Sequence, residues 1–154
     1  MYTTLLVLHS LFRWLVLATL LASILVAFRG IRSHRPFTKS ANQLRHWTAT
    51  VAHIQLVLGI IVYVKSPVIQ FLFSNFSEAI HYPELLFFGF IHSLLMLTAV
   101  VFATIGSALA KRKITDHEKY RTMLIWFSIT LLIIFIAIPW PFSPLANRPF
   151  IRHF

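Results

Sequence analysis

The sequence predicts an all-α fold: an integral membrane four-helix bundle, with both termini on the side opposite two basic loops. Three observations predict it. Hydrophobic residues make up 58% and charged residues 12% of the 154-residue chain, against roughly 45–50% and 25% in a soluble domain. A single core of this size could not hide that much apolar surface from water. Four apolar runs reach the length of about 20 residues that a hydrocarbon layer roughly 30 Å thick requires. The basic residues, finally, sit almost entirely outside those runs, most of them in the short stretches between.

The runs cover residues 5–28, 47–64, 85–110 and 122–138 of one transmembrane domain spanning 1–154. The first ends at Arg29-Gly30, and the second lies between Arg45 and the stop Lys65-Ser66-Pro67. The third is entered through Pro83-Glu84 and closed by Lys111-Arg112-Lys113, and Pro139-Trp140-Pro141 breaks the fourth. Each must be helical, because an open backbone in lipid leaves its N–H and C=O groups unpaired. The first run lacks a basic leader and a small-residue cleavage site, so it is expected to stay as a helix. Residues 68–82 are too polar to span yet carry Phe71, Phe73 and Phe76. They predict a short interfacial segment lying on the outer surface between helices two and three.

Orientation follows from charge. The first connection holds Arg29, Arg32, Arg35, Lys39 and Arg45, and the third holds Lys111, Arg112, Lys113, Lys119 and Arg121. Positive loops stay inside, so these two face the cytoplasm and both termini face the periplasm of a bacterial cytoplasmic (inner) membrane. The same placement explains the net charge of +10 without nucleic acid as a partner. The chain has no cysteine, which excludes disulfides, thiolate metal sites and cysteine nucleophiles. All four acids lie in loops or at helix mouths, which excludes acid/base work by paired carboxylates in the bilayer. Neither a glycine-rich phosphate loop nor a nucleophile elbow is present.

Ionisable residues inside the membrane are costly and call for an account. Four fall within the runs: His9 and Arg13 on the first, His53 on the second and His92 on the third, with His46 at the mouth of the second. At 1.5 Å per residue, His9 lies about 10 Å and His92 about 7 Å from their helix midpoints, toward the same face. His53 lies within about 5 Å of the centre. Depth therefore pairs His9 with His92, and two neutral imidazoles at one level suit axial ligation of one haem b in a helical bundle. His53 is the substitute ligand if the depths are off by two turns.

The surroundings extend this expectation. Gly89, one turn before His92, would let a flat macrocycle approach the backbone. Phe12, Trp14, Phe87, Phe88 and Phe90 offer aromatic walls, and Arg13, one turn from His9, would pair with a haem propionate. Met96 is an alternative ligand whose bland role is packing. His46, Thr50, His53 and Val57 share one stripe of helix two, but a second haem lacks a partner for His46. Ala103, Gly106 and Ser107 predict close helix packing. Tyr2, Trp47, Tyr63, Tyr82, Tyr120 and Trp140 predict an interfacial belt. Membrane histidines also serve as hydrogen-bonded packing groups or as a proton path, and both readings stand beside the haem.

The segments Leu8-His9-Ser10-Leu11-Phe12-Arg13-Trp14, His46-Trp47-Thr48-Ala49-Thr50-Val51-Ala52-His53 and Gly89-Phe90-Ile91-His92-Ser93 resemble small bacterial four-helix membrane proteins of the cytochrome b-like type. The likeness covers most of the chain, through Pro139-Trp140-Pro141-Phe142, and implies haem. A looser similarity is to the haem-containing protoporphyrinogen oxidase of the HemJ type, and it carries over to His9 alone. The leading expectation is a b-type haem protein in electron transfer, associated with a respiratory or quinone-linked complex, with quinone and other membrane subunits as candidate partners. The alternatives are a non-catalytic accessory subunit of a larger membrane complex and a haem-dependent porphyrinogen oxidase.

Overall fold

A computed structural model describes residues 1–143, 146 and 148–150. Helix α1 spans Tyr2–Arg32 and α2 spans Lys39–Lys65. Two short helices follow, α3 (Pro67–Ser74) and α4 (Phe76–Ala79), before α5 (Pro83–Leu86), a π-helical turn (Phe87–Ile91) and α6 (His92–Arg112). Helix α7 spans Asp116–Ala137. Helix α5, the π turn and α6 run as one length, Pro83–Arg112, so among the described residues four lengths are long and apolar enough to cross a membrane.

The helices outrun the apolar stretches that predict them. At 31 residues α1 is about 46 Å long, well beyond a hydrocarbon layer of about 30 Å. Helix α2 begins eight residues before its apolar run, where the Thr38 side chain accepts from the Ala41 N–H and caps the first turn. Helix α7 begins on a capping box, Thr115 and Glu118 each satisfying the other's backbone N–H. Helical turns need not stop where lipid does.

The four long helices close a ring in which α1 packs on α2 and α7, and α6 packs on α7 and α2. Helices α1 and α6 thus face each other across the diagonal. At the end carrying the basic connections the ring is tight. Ser23 and Thr48 place their hydroxyls 2.7 Å apart, and Thr48 also donates to the Leu44 carbonyl. A Cβ on Gly106 would overlap Trp126, and Ala103 and Ser107 are buried beside it, as small-residue packing requires. Tyr120 is 3% exposed, meets Phe37 edge-on and donates to the Pro36 carbonyl. It packs under the first connection rather than serving only as a belt residue. Arg45, read from sequence as a loop charge, is 4% exposed and donates to Asn42 Oδ1 and to the Ser107 carbonyl and hydroxyl.

Residues 68–82 include the two short helices, packed at one end of the bundle. Helix α3 buries Ile69 and Leu72 against the π turn and α2, while Phe71, Phe73 and Phe76 stay exposed. Tyr2 donates to Ser66 Oγ, which brings the start of α1 to the α2–α3 junction.

Candidate functional site

His9 sits on the second turn of α1 and His92 opens α6, so their positions across the ring diagonal bring them together. Their ring centroids are 6.4 Å apart with planes inclined at 75°. Both line a cavity of about 580 Å³ between α1, α2 and α6, within the range of roughly 300–1,000 Å³ that small-molecule sites occupy. Its walls include Arg13, Gln55, Phe88 and Met96, and residues of α3 form part of its rim. The depth argument from sequence thus selects the pair that the fold brings together.

Proline chemistry orients His92. A helical carbonyl accepts from the N–H four residues on, and proline has none. Pro139 and Pro141 therefore leave the carbonyls of Phe135 and Ala137 without helical donors. The Trp140 indole N–H donates to Phe135 O at 2.8 Å, and His92 Nδ1–H donates to Ala137 O at 2.7 Å. A carbonyl can only accept, so Nδ1 of His92 carries the hydrogen and Nε2 carries the lone pair. Pro139-Trp140-Pro141 does more than end a helix: it fixes the tautomer of a ligand candidate.

The π turn decides what else faces the pair. The His92 N–H bonds back to Phe87 O, five residues away, which rotates α6 relative to the turn before it. Gly89 consequently does not face the histidines as expected from spacing. A Cβ there would overlap Leu72, and its carbonyl accepts from Tyr63 OH and Ser93 Oγ. The glycine that makes room at the site is Gly59 on α2, where a Cβ would stand 3.2 Å from His9 Cε1. Phe87 and Phe88 reach the His92 ring, with centroids at 5.8 and 6.1 Å. Phe90 turns away to Phe73, and Trp14 packs edge-on against Trp140.

The substitute ligand is elsewhere. His53 is exposed on the outside of the ring, its Nε2 2.9 Å from Thr104 Oγ1. The Thr104 hydroxyl donates to Val100 O, so it accepts from His53 Nε2–H. His46 is likewise exposed, which removes the stripe on helix two from the interior. Arg13 lines the cavity and donates to Phe150 O at 2.6 Å, its guanidinium near the faces of Trp14 and Trp140. A second arginine lines the same cavity: Arg148 pairs with Glu84 and stands over Phe88. Gln55, which carries no charge and no periodic signal, was not legible as a site residue. Its side-chain nitrogen lies 2.9 Å from His9 O and 3.2 Å from His9 Nδ1.

Among the described residues no three or more His, Cys, Asp or Glu side chains gather in a metal-binding group. The site brings two imidazoles, one thioether and nearby guanidiniums to an apolar cavity. Comparison with protein families, with curated proteins and with solved structures gave no match.

Proposed function

We propose that this protein binds one haem b through His9 and His92 and carries electrons within a bilayer. The observation that carries the reading is the spacing of the two imidazoles in their cavity. Two imidazoles from different helices that meet in one apolar cavity are the pair that would hold a haem iron. Their ring centroids stand 6.4 Å apart. The donor set also fits. A bare transition ion in a structural site needs about four protein ligands, whereas a haem brings four nitrogens and asks the protein for two more. Gly59 leaves the space a side chain would fill beside His9, and Arg13 and Arg148 supply positive charge for carboxylates.

Bound haem would supply a one-electron couple. The residues of this chain do the remaining work: His92 holds its ring still through Ala137, Phe87 and Phe88 keep water from that ring, and the apolar wall lowers the local dielectric. The protein on this reading is a multi-pass protein of the bacterial cytoplasmic membrane, with the cavity toward the periplasmic end and the basic connections inside. A quinone-linked or respiratory complex is the partner that would supply and accept the electron.

The test is an absorbance titration of purified protein with haemin, read oxidised and after dithionite. The expected result is a Soret band and a sharp reduced α-band in the wild type, lost in both His9→Ala and His92→Ala. Wild-type protein that shows neither band overturns the reading. Topology is checked separately: the chain lacks cysteine, so single cysteines placed in each connection report their side by reagent access.

A further inference from the structure

Gln55 lies on α2 one turn before Gly59, and its amide meets His9 twice, at the carbonyl oxygen and at Nδ1. A carbonyl only accepts, so the amide presents its nitrogen to His9, and the same NH₂ donates its second hydrogen to Nδ1. An Nδ1 that accepts leaves a neutral imidazole with its hydrogen on Nε2. His92 is the reverse, with Nδ1–H on Ala137 O and its lone pair on Nε2. The two rings thus hold opposite tautomers, and only His92 offers a ligating Nε2. A further observation points to what changes. Gln55 Oε1 is buried and has no hydrogen-bond partner, an arrangement buried amides rarely keep.

We infer that Gln55 is a positioning residue that selects which nitrogen of His9 is available to iron. Turning the amide away from the His9 carbonyl so that Oε1 faces Nδ1 lets that oxygen accept a hydrogen bond, at the expense of the two that the NH₂ donates. The ring then loses the hydrogen on Nε2 and gains one on Nδ1, with no change in charge. The Nε2 lone pair is freed and Oε1 acquires a partner, while the NH₂ gives up His9 O, an exchange that iron ligation has to offset. This inference rests on the haem reading above. It assigns Gln55 the part that outer hydrogen-bond partners play for metal-bound histidines, fixing tautomer and basicity.

The experiment uses the full chain in lipid nanodiscs, first without haem and then with it. Histidine ¹⁵N NMR of the haem-free wild type is expected to show His9 as the Nε2–H tautomer, and Gln55→Leu to show a mixture. With haem, Gln55→Leu is expected to bind at least tenfold more weakly and to lose the six-coordinate low-spin spectrum, while Gln55→Glu keeps it. A carboxylate accepts from Nδ1–H more strongly and favours ferric iron, so Gln55→Glu is expected to lower the midpoint potential. A tenfold change in ferric over ferrous preference is about 59 mV. Should Gln55→Leu not fold, Gln55→Glu still decides: a potential indistinguishable from wild type overturns the inference. So does a haem-free His9 that carries its hydrogen on Nδ1. Wild-type protein that binds no haem defeats the functional reading, and the NMR result still judges the tautomer.

Discussion

The two ends of this bundle are made from the same four helices and come to opposite states. At the end with the basic connections the helices meet through Ser23, Ala27, Thr48, Ala103, Gly106 and Ala110, all buried or in close contact. At the other end the same ring holds a cavity of about 580 Å³ between α1, α2 and α6. The polar groups differ accordingly. Arg45 at the tight end turns back onto Ser107 and Asn42 and is consumed by packing. His9 and His92 at the open end face a space. Intramembrane polarity alone therefore does not mark a site; polarity beside unfilled volume does.

That contrast can be broken or sharpened by substitution. The largest effect is expected for His92→Ala, which removes one nitrogen donor and leaves Ala137 O without its partner. Haem absorbance should vanish, and stability should fall by about 1–3 kcal/mol for the unsatisfied carbonyl. Chemical denaturation in detergent with a spectral readout checks both. Next, Gly106→Val forces α6 away from Trp126 at the tight end. It should cost about 1–3 kcal/mol as an overpacked contact while leaving the bound-haem spectrum unchanged. A loss of haem there would show that the two ends are not independent.

Gly59→Val tests the open end by filling it. The added methyls press on His9 Cε1, only 3.2 Å from the position of the first carbon. Haem affinity should drop about tenfold, or about 1.4 kcal/mol, with unfolding unaltered. The smallest effect is expected for His53→Ala. It breaks one hydrogen bond to Thr104 on the outer face, worth about 0.6 kcal/mol between membrane helices, and should not alter the spectrum. A spectral change in that variant would restore His53 as a ligand.

Depth was legible in the sequence, and direction was not. Counting 1.5 Å per residue puts His9 and His92 at one level, because rise along a helix is nearly constant. Which way a side chain points depends on accumulated rotation, and one π turn shifts it. That turn sends Gly89 to Leu72, and no residue type between Phe87 and Ile91 announces it. His53 failed on the same count: its level was near the centre, yet it faces outward. The helix starts at Lys39 and Asp116 are set by the caps Thr38 and Thr115, whereas apolar content alone puts them at the edges of the runs. The Ala137 carbonyl that holds His92 could have been anticipated, since Pro141 visibly removes its donor. Gln55 could not, because a single amide within the apolar run 47–64 has no period and no motif.

The central claim is that His9 and His92 both bind one iron, and low-temperature electron paramagnetic resonance of the ferric protein tests it most directly. Rings inclined at 75° are expected to give a strongly anisotropic low-spin signal, the signature of two nearly perpendicular imidazole ligands. A high-spin signal that stays the same in His9→Ala would contradict the account.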